Sequence, residues 1–265
     1  MFTFNKIPIA FLLFVSLLSL NSAHAETESC AYLSYNGADD WYPFFFREAQ
    51  HTKGIASDAV NAAAAESGLS LAAKNSMPWK RQLLALKFGQ LDIIAGATKT
   101  YQTEKHFVFS IPVSQAHLSV FTRRDSQLSI NKIDDLKELR GVKLLGTSFT
   151  QALDEFVLEK LVVDEAVSLA SVFKMLQYGR VDYAFSYREA GARYIQKLGL
   201  NDQIENQPLN LSSDSIHVMV AKNNHCMGEI QQLFDQIKHL KETDKLDAII
   251  QRYSMQASIM QDDAQ

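Results

Sequence analysis

Two runs of small and hydroxyl-bearing residues have the chemistry of a ligand site. Gly96 to Thr100 follows an apolar run, Leu91 to Ala95, which predicts a buried strand ending at Ala95. Gly146-Thr147-Ser148 follows a second predicted strand and precedes a predicted helix. Ligands of open α/β sheets bind beyond the carboxyl ends of strands, where free N–H groups and hydroxyls can bind an anion or a carboxylate. The alternative for Thr147 or Ser148 is an ordinary N-cap that bonds only its own helix.

Two tryptophans are candidate stacking surfaces. Trp41 lies in an aromatic-rich loop, Asn36 to Arg47, and Trp79 lies in the first turn of a predicted helix, Pro78 to Phe88. A flat aromatic face can stack on a ring-bearing ligand, although most aromatic side chains instead cover the core. Turn-forming residues flank Trp41 on both sides, which favours a position at the edge of a cleft. The sequence does not decide the burial of Trp79.

The titratable residues do not form a pattern typical of catalysis. General acid–base chemistry needs a positioned acid or base, and Glu189 and His106, near the predicted cleft edges, have no evident partner in the sequence. The histidines show no metal-ligand spacing, and the Gly-x-Ser-x-Gly and Walker A patterns are absent. We therefore expect a binding protein rather than an enzyme, with no cofactor and no metal.

A repeated pattern indicates how these residues are positioned. Leu86-Lys-Phe-Gly89-Gln-Leu-Asp92 recurs as Leu176-Gln-Tyr-Gly179-Arg-Val-Asp182, a displacement of 90 residues without a gap. An amphipathic helix precedes each copy and an apolar strand follows it. The period is too long for a solenoid repeat. Two copies in matching context predict two α/β lobes built on one plan with a cleft between them, although the motif could also be merely a frequent helix end.

The first 25 residues predict a secretory signal peptide. Lys6 precedes a mostly apolar run, Ile7 to Leu20, and Ala23-His24-Ala25 has the small-x-small cleavage pattern. Cleavage after Ala25 would leave an exported chain of 265 − 25 = 240 residues, and the residues before Cys30 do not fit lipoprotein processing. The composition, 47% hydrophobic and 21% charged, is that of a globular protein. A net charge of −4 without basic runs argues against nucleic acid as a partner.

The two cysteines lie near opposite ends of the chain. Cys30 precedes the first predicted strand, and Cys226 precedes the C-terminal helices. An oxidising compartment would allow a disulfide between them if both ends return to the same lobe. Such a bond would close a loop of ~200 residues, for which the chain-entropy model gives roughly 4 to 5 kcal/mol at most. The alternative is two free buried thiols.

Further short motifs follow one another in a recognisable order. They are Trp41-Tyr-Pro43-Phe44 with Gly54, the two Leu-x-x-Gly-x-x-Asp copies, Thr98-Lys-Thr100 leading to Phe109-Ser110-x-Pro112, Asp135-Leu136, Gly141-Val142 and Gly146-Thr147-Ser148. In this order and spacing the chain, from about residue 31 to 253, resembles the periplasmic solute-binding proteins of the amino-acid importer type, the bacterial extracellular solute-binding proteins of family 3. The resemblance implies two α/β lobes joined by two crossing strands, a type II periplasmic-binding-protein fold that closes on its ligand. One implied lobe consists of residues 26–114 together with 215–265, and the other consists of residues 115–214.

The resemblance also implies a ligand site in the cleft, with contributions from both lobes. Its positions are the stacking aromatics Trp41 and Trp79, the first-lobe hydrogen-bonding residues Gly96 and Thr98, and the second-lobe carboxylate cradle Thr147 and Ser148.

Two positions depart from the family pattern. The family's arginine, which clamps an α-carboxylate, falls on Thr103, and its acid for the α-ammonium group falls on Tyr187. Hydroxyl groups do not replace the charge-assisted bonds of an arginine and a carboxylate, so we expect standard amino acids to bind weakly. Other charged side chains near the cleft could serve as replacements, or could be ordinary surface charges: Arg81, Lys105, Arg188 and Glu189.

The expected function is capture of a small polar solute, amino-acid-like or ring-bearing, between Trp41 and Trp79, for delivery to an inner-membrane ABC permease. One alternative is a ligand-sensing module for a membrane signalling partner. Another, disfavoured by the missing catalytic pattern, is an enzyme on the same scaffold, such as a dehydratase or a wall-cleaving lyase. The expected partners are a small-molecule ligand and a permease or sensor protein, and the chain is expected to be a monomer.

Overall fold

The computed structural model describes Cys30 and residues 32–262, and it describes side-chain environments as far as residue 256. The predicted signal peptide, residues 1–25, lies outside the described residues. The strands are β1 Tyr32–Asn36, β2 Asp40–Trp41, β3 Phe45–Glu48, β4 His51–Lys53, β5 Ser70–Ala73, β6 Ile93–Thr98, β7 Phe107–Phe109, β8 Ser114–Arg123, β9 Arg140–Leu144, β10 Val162–Ala166, β11 Tyr183–Tyr187 and β12 Ile204–Ala221. The helices are α1 Ile55–Glu66, α2 Trp79–Lys87, α3 Tyr101–Glu104, α4 Gln151–Lys160, α5 Leu169–Gln177, α6 Arg188–Lys197, α7 Met227–Glu242 and α8 Lys245–Asp262.

Nine of these strands form one mixed sheet, and β2, β3 and β4 form a small antiparallel sheet beside it. The main order is β10-β9-β11-β8-β12-β6-β1-β5, with β7 also paired to β12. The parallel pairs lie towards the two ends of this order. At one end β1 pairs with β5 and with β6, and at the other end β9 pairs with β10 and with β11. Helices cover the parallel strands, as the alternation of strands and helices predicts. The predicted α/β class is confirmed.

Two long strands connect the two ends of this sheet. β8 and β12 are antiparallel partners from Arg123↔Ile204 to Ser114↔Ile216. Beyond Ile216, β12 leaves β8 and pairs instead with β6 and β7. β12 is therefore shared by the half that contains β1, β5, β6 and β7 and the half that contains β8 to β11. The predicted lobe boundaries, at residues 114/115 and 214/215, stay a prediction.

The repeated pattern has the same local structure in both copies. Gly89 and Gly179 end α2 and α5 with φ angles of 69° and 64°, which glycine adopts without strain. The carboxylate of Asp92 then accepts the backbone N–H of Ser34 at 2.8 Å, and that of Asp182 accepts the backbone N–H of Arg140 at 2.8 Å. Each aspartate thereby anchors the start of its strand to the neighbouring parallel strand.

The predicted disulfide is confirmed. Cys30 and Cys226 are bonded to each other across a sequence separation of 196 residues. The bond joins the entrance of β1 to the start of α7, and Cys226 is only 2% exposed. The Cys30 and Cys226 sulfurs and His225 also bring potential metal-ligand atoms within 4.8 Å of one another, but the disulfide occupies both sulfurs.

Three predicted elements differ from the structure. The strand expected to end at Ala95 continues to Thr98, because β12 supplies partners at Ala97 and Thr98. Asn131 and the acids Asp134 and Asp135 predict a helix over residues 133–139, but the structure has only a short 3-10 turn there, Ile133–Leu136. The helix after Gly146-Thr147-Ser148 is predicted from the sequence to begin at Phe149, and in the structure it begins at Gln151. None of the helices in the described part of the chain is both long and apolar enough to cross a membrane.

Candidate functional site

A cavity of about 330 Å³ lies between the two halves of the sheet. This volume is at the small end of the ~300–1,000 Å³ that ligand pockets usually have. Seven of the eight residues singled out from the sequence line the cavity, and only Gly96 does not. Their roles in binding stay a prediction. The seven are Trp41, Trp79, Thr98, Thr103, Thr147, Ser148 and Tyr187.

Trp41 forms one wall of the cavity and is held by a tight turn. Its backbone N–H donates to the carbonyl of Ala38 at 2.9 Å, and its own carbonyl accepts from Phe44 at 2.8 Å. Its ring lies 5.1 Å, between centroids, from the ring of Tyr187, which belongs to the other half. Gly96 lies behind Trp41: a β-carbon there would be 3.7 Å from the indole, and the φ of 91° favours glycine. Gly96 thus supports the aromatic wall.

The N-terminus of α2 forms a second part of the same half. Trp79 is the first residue of α2 and is half-buried at the cavity. One turn later Gln82 is fully buried, and its Nε2 donates to the carbonyls of Gly37 at 2.8 Å and Met77 at 3.0 Å. These bonds fix α2 against the loop that carries Trp41. The sequence did not identify Gln82 as a residue of the cavity. The one indication in the sequence was a polar residue on the apolar face of a helix.

The opposite wall contains Thr147 and Ser148, in the loop between β9 and α4. The alternative that either residue caps the helix is wrong, because Thr150 is the N-cap and accepts from the N–H of Leu153 at 3.4 Å. Thr147 and Ser148 are therefore left at the cavity surface. Lys143, missed in the sequence, donates from Nζ to the carbonyl of Thr147 at 2.7 Å. A lysine on the strand just before the Gly-Thr-Ser run was the available signal.

Tyr187 joins the two halves at the floor of the cleft. Its hydroxyl donates to Oδ2 of Asp214 at 2.9 Å, and Ser212 donates to the same oxygen at 3.0 Å. A hydrogen bond with Thr98 connects Tyr187 to the end of β6. Burial, followed by the charge of Asp214, holds the pKa of Tyr187 well above its ordinary value, so the phenol keeps its proton. Tyr187, at the position expected to bind an ammonium group, therefore hydrogen-bonds to other residues of the protein.

Thr103 is likewise engaged within the protein. Its hydroxyl accepts the N–H of Thr100 at 2.9 Å and donates to the Thr100 carbonyl at 3.0 Å, which caps the short helix α3. The four charged residues considered as replacements for the clamp are absent from the described residues that line the cavity. Those four are Arg81, Lys105, Arg188 and Glu189.

The charged side chains that do line the cavity, among the described residues, are Asp39, Asp40 and Lys143. Asp39 pairs with Arg47 at 2.5 Å, and Lys143 lies 3.4 Å from Glu165. Asp40 lies 3.6 Å from Lys197 of the other half and also hydrogen-bonds to Tyr194. Each of the three charges thus has an oppositely charged partner.

Further contacts hold the halves together at the rim. Arg193 of α6 pairs with Glu48 at 3.2 Å, and its guanidinium lies 4.3 Å from the ring centre of Tyr42. On the other side, Gly146 approaches α2 so closely that a β-carbon there would lie 3.1 Å from Cβ of Lys80. The cleft is therefore narrow, with side chains of both halves in contact around the cavity.

The sequence profile of the bacterial extracellular solute-binding proteins, family 3, matches residues 33–256. The chain belongs to this family. Family membership explains the order of motifs seen in the sequence, and it confirms the predicted resemblance and the solute-binding function. The family is extracellular by description, which agrees with export from the cytoplasm. No curated protein matches the chain.

Three solved structures illustrate the likeness of the architecture. A mutant of ArgBP from T. maritima has 22% identity and a TM-score of 0.73, with 85% of this chain and 96% of that one covered. A histidine kinase sensor domain with similarity to periplasmic binding proteins has 18% identity, a TM-score of 0.73 and coverages of 84% and 95%. The ancestral amino acid-binding protein AncCDT-1, a precursor of cyclohexadienyl dehydratase, has 22% identity, a TM-score of 0.69 and coverages of 84% and 95%. These likenesses confirm the periplasmic-binding-protein fold.

Proposed function

We propose that this protein captures a small ring-bearing solute in the cavity between its halves and delivers it to an inner-membrane ABC permease. The observation that carries the proposal is the cavity itself. Both halves contribute to it, and its walls include seven of the residues expected from the sequence. Trp79 provides a half-buried aromatic face there. A planar ligand gains both apolar burial and stacking on such a face.

The proposal includes the lobe boundaries and the location. Residues 26–114 with 215–265 would form one lobe and residues 115–214 the other, which is consistent with the change of partner of β12 at Ile216. The halves would separate to admit the solute and close on it. The mature chain, after cleavage following Ala25, would work in the periplasm as a monomer and would not bind nucleic acid.

A sensory role is the second candidate. It is favoured by the likeness to a histidine kinase sensor domain, whose TM-score of 0.73 equals that of the ArgBP mutant. Co-purification from membranes decides between the two: a permease supports transport, whereas a sensor kinase supports signalling.

We propose that the protein is not an enzyme, because the acids at the cavity, Asp39 and Asp40, are committed to partners within the protein.

A thermal-shift panel tests solute capture. The mature protein is mixed with amino acids, peptides, sugars, aromatic acids and amides, and a bound ligand raises Tm by mass action. For any ligand found, Trp79→Ala should weaken binding by ~1 kcal/mol or more, because the stacking face is lost. The matched control is Phe88→Ala, since Phe88 is 69% exposed at the far end of α2.

Two results would contradict the proposal. A panel that leaves Tm unchanged throughout would argue against solute capture. Equal affinities of the wild type and the Trp79→Ala variant would instead remove the stacking role and leave capture intact.

A further inference from the structure

A small sheet of the first half extends onto a helix of the second half. We call residues 40–53, which form β2, β3 and β4, the arm. Hydrogen bonds fix the arm to the helices of the first half. The hydroxyl of Tyr42 donates to the carbonyl of Tyr253 in α8 at 3.3 Å. The carbonyl of Phe44 accepts the N–H of Ala56 in α1 at 2.9 Å. The arm therefore belongs to the first half.

Arg193 of α6, in the second half, contacts side chains of the arm. Its guanidinium lies 4.3 Å from the ring centre of Tyr42 and 4.9 Å from that of Phe46. Its Nη2 atom lies 3.2 Å from Oε1 of Glu48. Both rings are buried, and a guanidinium can stack on aromatic faces while it pairs with a carboxylate. Arg193 thus joins the halves by packing as well as by charge.

The helix that carries Arg193 is fixed within the second half and also borders the cavity. Gly191 packs so closely on β8 that a β-carbon there would lie 2.3 Å from the ring of Phe121. Ala190 lines the cavity, whereas Arg193, one helical turn further on, is not among the described residues that line it. The contact between Arg193 and the arm therefore lies just outside the cavity, on a helix that forms part of its wall.

The arm likewise carries part of the cavity wall. Asp40 hydrogen-bonds to Tyr194 of α6 and lies 3.6 Å from Lys197, one turn beyond Arg193. The next residue, Trp41, lines the cavity. Separation of the arm from α6 would break these contacts and withdraw Trp41 from the second half. The position of this wall thus depends on contacts made outside the cavity.

We propose that Arg193 is a positioning residue for solute capture: by joining α6 to the arm, it holds the two halves closed and keeps Trp41 in place at the cavity. The effect on affinity rests on the proposed function, whereas the effect on closure does not. When only a fraction of the molecules has the binding-competent conformation, the apparent dissociation constant rises as that fraction falls. The affinity then depends on a residue outside the cavity.

Double electron–electron resonance between two spin labels measures closure without any ligand. The labels are attached at Phe88→Cys and Tyr178→Cys, one on each half. Phe88 and Tyr178 are 69% and 68% exposed and lie at the ends of α2 and α5. Cys30 and Cys226 are bonded to each other, so they do not react with the label. The distribution of distances between the labels gives the fractions of open and closed molecules.

Three variants in this labelled background test the role of Arg193. Arg193→Ala should raise the ratio of open to closed molecules about tenfold, because the contacts with both rings and with Glu48 are lost. Arg193→Lys keeps a charge beside Glu48 but loses the planar group, so the ratio should rise by only about threefold. Arg180→Ala is the matched control, since Arg180 is an exposed arginine of the same half, and it should leave the distances unchanged.

A solute found by the thermal-shift panel extends the test to affinity. Its dissociation constant for Arg193→Ala should rise by the same factor by which the closed fraction falls. Isothermal titration calorimetry measures this constant. The urea midpoint of each variant is measured as well, because a residue that only stabilises the second half would change the midpoint and leave the distances between the labels as they were.

The outcomes separate closure from solute capture. Distances that stay the same in Arg193→Ala and in the wild type overturn the inference, whatever the urea midpoint. A changed distance distribution with an unchanged dissociation constant overturns the link to affinity. A panel without any ligand argues against solute capture but leaves the measured effect of Arg193 on closure standing.

Discussion

Removal of a single oxygen atom tests whether the hydrogen bonds of Tyr187 stabilise the fold. In Tyr187→Phe the ring that packs 5.1 Å from Trp41 is retained, but the hydroxyl that donates to Asp214 at 2.9 Å and bonds Thr98 is lost. Asp214 then keeps the bond from Ser212. The variant therefore isolates the hydrogen bonds of Tyr187 from its packing.

The magnitude follows from the kind of bond that is lost. A hydrogen bond to a charged acceptor contributes ~1.5–3 kcal/mol, and the retained Ser212 bond keeps the carboxylate from being left without a partner. We expect a loss of about 2 kcal/mol in the free energy of unfolding. For a chain of about this length that corresponds to a fall in Tm of about 4–8 °C.

Urea denaturation at neutral pH, followed by circular dichroism, measures the effect. Tyr178→Phe is the matched control: Tyr178 occupies the same kind of position, next to a helix end, but is 68% exposed. Its free energy of unfolding should change by less than ~0.5 kcal/mol. If Tyr187→Phe behaved like this control, the bonds from Tyr187 to Asp214 and Thr98 would not stabilise the fold, and the reasoning would be wrong.

Two further perturbations have defined outcomes. Replacement of Cys30 and Cys226 by alanine should lower the free energy of unfolding by up to ~5 kcal/mol, since the bond closes a loop of 196 residues; an unchanged urea midpoint would contradict this. His217 is buried with its Nδ1 2.8 Å from the Ser110 carbonyl, and burial lowers its pKa. Because the unfolded state then binds more protons, stability should be full above about pH 6.5 and fall as the pH drops through the lowered folded-state pKa. Urea midpoints across this range should show that fall, and His217→Asn should show less of it.

The paired construction of the molecule could be read from local chemistry. Gly89 and Gly179 are needed where the chain turns out of a helix, and Asp92 and Asp182 accept a backbone N–H of the adjacent strand in both halves. These requirements act within a few residues or between neighbouring strands. They therefore leave a pattern in the sequence that repeats with the structure.

The details of the cleft depend on contacts between distant residues, and the sequence did not reveal them. The extension of β6 to Thr98 requires the partner Ile216, far along the chain. The burial of Gln82 depends on the carbonyl of Gly37, 45 residues away. By contrast, the departures at Thr103 and Tyr187 were visible in the sequence, but their partners within the fold were not.

The disulfide has a practical consequence for observing how the protein moves. Cys30 at the entrance of β1 is bonded to Cys226 before α7, and Tyr253 of α8 hydrogen-bonds to Gly54, just ahead of α1. Both extremities of the described chain are thus fastened to the same half. A donor and an acceptor fluorophore attached at the two extremities would therefore report a constant separation even if the two halves move relative to each other. An energy-transfer experiment needs one dye on the opposite half, for which the exposed Tyr178 offers a site.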